Sequence, residues 1–408
     1  MSSAAWPYTR KPIRSELAVW LADRDFATIA LSAGLCAAPV SIAASEALLA
    51  IALLARLAKL ATRPLVFQLP RVFRFWLLWA GLETASWLRS ASRAAGAGEM
   101  RHLLLVAALW ILLPALDRSS DKVRVWKGIF AAATLGSAVL ILEFFARLTR
   151  FRGELANGGD PAFYLRTGGL LHHWMVFGTV EIVVFAALLE FRAAYSEDRR
   201  WTLPALVVHT TAILLSLTRC LWLAAILVVG LHILRSRSHR AWALAPAFLI
   251  LLAFGPVRQR VAQTLQPDYY SNAERFQMWR VGCQMIREHP LLGIGAGRIE
   301  SEYARYLSPG ERLPAFHGHL HNNALELGAE FGLLVLGAAA LFAVILLRDL
   351  ALASSQAGSC DSQFLCRSGL QGMAGFLAMG MMDYTYGHSV GLILLAFATL
   401  PPLLAARR

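Results

Sequence analysis

Apolar residues along the chain fall in long runs divided by short polar turns, not in the alternation expected of strands. A membrane-crossing helix needs about 20 mostly apolar residues. Twelve stretches come near that length: 25–42, 44–59, 72–88, 102–116, 125–146, 168–190, 202–218, 220–235, 241–256, 321–347, 364–382 and 387–404. The seventh and eighth are separated only by Arg219. Residues 257–320 are the one long hydrophilic stretch, too polar to span and too long for a tight turn. The pattern predicts an all-α polytopic membrane protein in three parts. Residues 1–256 form an N-terminal transmembrane region, 257–320 a large helical loop, and 321–408 a C-terminal transmembrane region.

The loop has its own pattern. Ser271-Asn272-Ala273-Glu274 reads as a capping box opening a helix. Phe276, Trp279, Cys283 and Ile286 then form one apolar stripe, with Arg275 and Arg280 off it, and Pro290 stops the helix. Leu291-Leu292-Gly293-Ile294-Gly295-Ala296-Gly297 follows. Its alternating glycines suit either a tight turn or a backbone nest for an anion. No strand precedes them and no acidic partner follows, so they are not a dinucleotide fingerprint.

Composition agrees with a membrane protein. Hydrophobic residues make up 57% and charged residues 16%, and the mean hydropathy is +0.53. These values exclude a soluble globular enzyme, a disordered chain and a disulfide-stapled module. The 5 cysteines lack metal-ligand spacing and read as free thiols. No small-residue cleavage site follows the first apolar run, which reads as an uncleaved anchor. There are 39 Lys+Arg against 26 Asp+Glu, a net charge of +13. Placing both termini in the cytoplasm puts Lys11, Lys59, Lys122 and Lys127, with most arginines outside the long loop, on the inner side. The basic residues left outside are all arginine, whose planar fork binds phosphate bidentately.

Polar residues at the outer mouths of the spans are the candidate chemistry, since such groups are costly near a bilayer and usually functional. Arg219 interrupts the run Leu214–Trp222, and Arg166 precedes Gly168-Gly169 with His172 and His173 just inside. His317-Gly-His319-Leu-His321-Asn322-Asn323 sits at the mouth of the tenth span. The alternate histidines lack a Cys or carboxylate set that would make a zinc site, so no metal is expected. Asn322 or Asn323 is a natural helix cap. His321 is either a headgroup-level polar residue or a general base, with His319 beside it. Asp383, Tyr384, Tyr386 and His388 occupy the turn between the last two spans. Arg166, Arg219, Arg275, His319, His321 and Asp383 thus gather at one membrane depth from separate segments, as a site for a lipid-linked anion would require.

These features together resemble the O-antigen ligase/polymerase superfamily of bacterial membrane glycosyltransferases. The resemblance rests on Thr218-Arg219 followed by Trp222, on Arg275-Phe-Gln-Met-Trp279, and on Pro290-Leu291-Leu292-Gly293-Ile294-Gly295. It ends with His321-Asn322, nine further residues and Gly332. The ligase form has Gly, Thr or Tyr three residues further on, where this chain has Val335. The motifs cover roughly 218–337, and the N-terminal half matches only in hydropathy.

The resemblance implies a GT-C-like fold of about 12 spans in the bacterial inner membrane, with its active site on the periplasmic side. It implies transfer of O-antigen from undecaprenyl diphosphate to lipid A–core oligosaccharide, without cofactor or metal. Arg219 and Arg275 would clamp the diphosphate, with Arg166, Asn322, Asp383, Gly293 and Gly295 as further substrate contacts. His321 would be the base, or else His319. Membrane lipids are the other expected partners, nucleic acid is not, and a monomer is the simplest assembly. The length of 408 residues favours this ligase over the protein O-oligosaccharyltransferases, which carry an additional C-terminal domain. An O-antigen polymerase shares the chemistry. A lipid-linked glycan flippase or exporter would instead need basic residues lining a path through the bilayer, and here they cluster on one side.

Overall fold

The computed structural model describes residue 18 and residues 20–60, 69–236 and 253–405, and every regular element among them is helical. The longer helices are α1 (Phe26–Ala37), α2 (Ile42–Leu60), α3 (Val72–Arg89), α4 (Arg101–Leu112), α5 (Ser119–Arg150), α6 (Trp174–Ala194) and α7 (Arg199–Leu215). They continue as α8 (Arg219–Ser236), α9 (Gly255–Thr264), α10 (Tyr270–Glu288), α11 (Asn323–Phe331), α12 (Leu333–Ser355), α13 (Cys360–Gly380) and α14 (Ser389–Ala405). By length and composition, α5, α6 and α12 are sufficient to cross a membrane, and α1, α4 and α14 are shorter apolar helices. The predicted span 241–256 lies almost wholly outside the described residues, as do Arg10, Lys11, Arg14, Arg63, Arg237, Arg240, Arg407 and Arg408. The cysteines are free, as their spacing suggested.

The bundle is organised around α6. Its sequence is apolar on every side, and a helix of that kind belongs inside. Nearly every residue from Met175 to Phe191 is buried, against α7, α8, α13 and α14. Two carboxylates ride on it, and each meets an imidazole. His209 of α7 donates to Glu181 at 2.6 Å, with Ser137 of α5 donating to the other oxygen at 3.1 Å. His232 of α8 donates to Glu190 at 2.8 Å. Glu83 of α3 and His102 of α4 form a third pair at 3.1 Å. An unpaired buried carboxylate is far costlier than a paired one, so these contacts fix the registers in which α7 and α8 pack on α6.

Three expectations need correction. The apolar run 321–347 is two helices, α11 and α12, broken at Gly332. That residue has φ +89°, and a Cβ there would lie 2.2 Å from the Leu291 carbonyl oxygen, so the break requires glycine. The proposed capping box does not cap: α10 starts at Tyr270, with Tyr269 and not Ser271 preceding it and with no side-chain cap. Finally, the buried face of α10 is Met278, Val281, Gly282 and Met285, while Phe276 is 56% exposed and Cys283 is exposed. Both stripes have helical spacing. The one chosen packs on Ile294, Ile299, Tyr303, Leu320 and Ala329, contacts that periodicity alone cannot reveal.

Gly332→Ala should lower stability by about 1–3 kcal/mol, read as a drop in the thermal midpoint of the purified protein. Gly337→Ala on α12, whose Cβ would meet open space, should be neutral or slightly stabilising. Equal effects would contradict the assigned role of the break.

Candidate active site

The arginine side of the site is built from a strained turn. Between α7 and α8 the chain reverses through Ser216-Leu217-Thr218, with Leu217 at φ +53°. Leu217 offers its carbonyl to Arg260 Nε at 3.2 Å, and Arg219 follows as the first residue of α8. Ser271 and Asn272, in the first turn of α10, both accept from the Arg219 guanidinium. The Ser271 hydroxyl is therefore turned away from the capping expected of it.

Arg219 and Arg260 lie over the same Tyr269 ring, at 5.9 and 5.5 Å from its centroid. Arg260 is 1% exposed and also donates to Gln263 and to the Tyr269 hydroxyl, which in turn donates to Asp160. Hydrogen bonds from Tyr269, Gln263 and Ala162 outweigh burial and hold the Asp160 carboxyl below the usual carboxylate range. Arg166 stacks on Trp174 at 4.8 Å. Burial, with the charges of Arg260 and Arg275, pulls the Arg166 guanidinium down to about 10, so it remains charged at neutral pH. Among the described residues none of Arg166, Arg219, Arg260 and Arg275 forms a salt bridge with a carboxylate. The Nε–H groups of Arg166, Arg219 and Arg275 are buried without a protein partner. An unsatisfied buried donor costs about 1–3 kcal/mol, more when charged. The N-termini of α6, α8 and α10 also open here, adding the positive ends of their dipoles. The arrangement is complementary to a multiply charged anion.

The imidazole side comes from the segment before α11 and the turn after α13. His321 has φ +48°, which lets its ring turn toward Asp383, and Nδ1 donates to Oδ1 at 3.2 Å. This leaves Nε2 with its lone pair free for a proton. Asp383 is 0% exposed. Burial would raise its carboxyl, but the His321 hydrogen bond and the neighbouring imidazoles outweigh this and hold it below the ordinary carboxylate value. His388 approaches the other Asp383 oxygen at 3.9 Å. The His319 ring lies edge-on to His321 at 4.4 Å, and its Nδ1 has no partner. Burial, reinforced by His321, pushes His319 down to about 3, so it is neutral at working pH. Burial also lowers His388.

The two sides touch. Arg166 stacks on Trp174, Trp174 on His173 at 4.4 Å, His173 meets His388 at 6.3 Å, and His388 reaches Asp383. Among the described residues, the non-glycine residues with positive φ are His172, Leu217 and His321, all at this end of the bundle. Backbone strain of this kind costs about 1–3 kcal/mol and concentrates at functional sites.

Arg166, Arg219, Arg275, His319, His321 and Asp383 are thus brought together. Three other candidates are otherwise engaged. Asn322 caps α11, its Oδ1 accepting from Ala324 and Leu325 while Nδ2 donates to the Met381 carbonyl. The Gly293–Gly297 turn faces the end of α11. Ile294 and Gly295 donate to the Ala329 and Glu330 carbonyls, and Gly297 donates to the Glu330 carboxylate. Those N–H groups close a helix end, so they form no anion nest, and Gly295 packs against Ser90 and Arg298. Arg260 and Tyr269 were not singled out in the sequence, where nothing distinguishes Arg260 from the other arginines of a polar segment. Among the described residues no three His, Cys, Asp or Glu side chains gather closely enough to hold a metal ion.

Stability should fall on acidification. Between its ordinary value and about 3, His319 binds a proton in the unfolded chain but not in the folded protein, so stability drops as pH falls below about 6.5. The thermal midpoint should decrease from pH 7 to pH 5, and His319→Gln should reduce that slope. An unchanged slope would contradict a buried, neutral His319.

A comparison with curated proteins gives no match. Residues 204–341, which hold Arg219, Arg260, Arg275, the glycine turn and His321, match the family model described as O-Antigen ligase.

Proposed function

We propose that the protein is an O-antigen ligase, a polytopic inner-membrane glycosyltransferase working on the periplasmic side with both termini in the cytoplasm. It moves O-antigen from undecaprenyl diphosphate to a hydroxyl of lipid A–core oligosaccharide. One observation carries the reading: buried, unpaired guanidinium donors joined by side-chain contacts to an imidazole–carboxylate pair. The first is what a leaving diphosphate needs, the second what an attacking hydroxyl needs.

Arg219 and Arg275 hold the diphosphate, with Arg166 beside them and Arg260 fixing the Tyr269 platform. Their charges neutralise the negative charge that builds on the leaving group, and none of them is tied up in a salt bridge among the described residues. The guanidinium groups take the part a divalent cation plays elsewhere, so the reaction needs no metal. His321 Nε2 accepts the proton of the acceptor hydroxyl as its oxygen bonds to the anomeric carbon. The bond from that carbon to the phosphate oxygen breaks, undecaprenyl diphosphate leaves with the electron pair, and the configuration inverts. Asp383 stabilises the imidazolium and holds the tautomer, a positioning role. Because His319 is held neutral and lacks a carboxylate partner, His321 is the better base. A flippase would have no use for an oriented imidazole at one face.

Arg219→Lys and Arg275→Lys should each lower turnover by about 10²-fold, because an ammonium cannot replace the fork. The assay is transfer from undecaprenyl-diphosphate glycan to rough lipopolysaccharide in detergent. Wild-type rates in both variants would overturn the clamp.

His321→Ala should cost about 10²–10⁴-fold in turnover while binding of undecaprenyl diphosphate persists, and Asp383→Asn should cost less. Unchanged turnover in His321→Ala would remove the assigned base. In cells a deletion should leave long polymer on the lipid carrier. Single repeat units on lipid A–core would indicate a polymerase instead.

A further inference from the structure

A cavity of about 280 Å³ with a mixed polar and apolar lining opens beside the imidazoles, lined by Gly98, Glu99, Arg101, His319, Tyr384 and His388 among others. Two of its walls belong to the site already described: His319 lies edge-on to His321, and His388 reaches Asp383. None of Arg166, Arg219, Arg260 and Arg275 lines it. The cavity therefore approaches the base from a different side than the arginine cluster.

Its chemistry differs as well. The Glu99 carboxylate accepts from the Tyr384 hydroxyl at 2.7 Å, and the Glu99 carbonyl meets His102 Nδ1 at 2.7 Å. The carboxylate is tied down at both its side chain and its backbone, yet it still faces the cavity. The rings of Tyr384 and Tyr386 supply aromatic walls. A fixed carboxylate for hydroxyl donors, flanked by aromatic faces for the C–H side of a ring, suits a neutral, hydroxyl-rich saccharide. The Glu99 carboxylate would repel a diphosphate, with Arg101 as the single guanidinium among the lining residues.

We propose that this cavity is the acceptor subsite and that Glu99, held by Tyr384, is the residue that grips the accepting sugar. The inference rests on the transferase reading above. Donor and acceptor then enter from separate sides and meet at His321. The acceptor hydroxyl arrives past His319, whose neutral ring adds no charge to repel or trap it.

The test is equilibrium binding of two probes to the purified full-length protein: rough lipopolysaccharide lacking O-polysaccharide, and undecaprenyl diphosphate. Glu99→Gln removes the charged acceptor of hydrogen bonds. Gly98→Trp fills the cavity from a position where a Cβ meets open space, so folding is not at risk. Both variants should bind rough lipopolysaccharide about tenfold or more weakly and raise the acceptor KM in the transfer assay, with undecaprenyl diphosphate binding unchanged. Unaltered lipopolysaccharide binding in both variants would overturn the assignment. So would a loss confined to undecaprenyl diphosphate. The binding readout needs no turnover, so failure of this proposal is distinct from failure of the transferase reading, which would show as no transfer by the wild-type protein.

Discussion

The site is governed by one electrostatic constraint: several guanidinium groups are held together, and among the described residues none of them forms a salt bridge with a carboxylate. Arg166, Arg219, Arg260 and Arg275 repel one another, and burial makes that repulsion more costly. A fold tolerates this only if the surroundings over-determine it and a ligand relieves it. The surroundings are visible in detail. Leu217 is strained so that its carbonyl can hold Arg260, Ser271 and Asn272 are diverted to Arg219, and Tyr269 lies under two guanidinium groups. The relieving ligand must be strongly anionic.

The opposite half obeys the complementary rule. Asp383 is a buried carboxylate that accepts from His321 and is approached by His388. Cationic and anionic clusters stay apart as separate contacts, joined through Trp174, His173 and His388 but not neutralising each other. Had Asp383 faced the arginines directly, the cluster would have closed on itself as an internal salt bridge. In the proposed reaction this separation keeps one half open for a leaving diphosphate and the other ready to take a proton. The rigid frame is α6, whose carboxylate–imidazole pairs with α7 and α8 lock the helices that deliver Arg166, His173 and Arg219.

Much of this was legible in the sequence because it depends on local signals. Apolar runs set the helices, and a lone Arg219 between two such runs could only be a turn residue or a site residue. Pro290 ended α10 as proline must. What the sequence hid depended on long-range contact. Gly332 and Gly337 look alike in an apolar run, and only the Leu291 carbonyl against Gly332 tells them apart. Ser271 resembles a cap until Arg219, distant in the chain, claims it. Arg260 looks like a solvated loop charge until its burial beneath Leu217 is seen. Asp383 was recognised as unusual, but its role as the partner of His321 required the turn after α13 to fold back on the segment before α11.

The most direct measurement is a density map of the protein with undecaprenyl diphosphate bound. The account predicts the two phosphates among Arg166, Arg219 and Arg275, with the terminal phosphate, which carries the glycan in the donor, directed toward His321 Nε2. Phosphate density elsewhere, or at the arginines but facing away from His321, would contradict it.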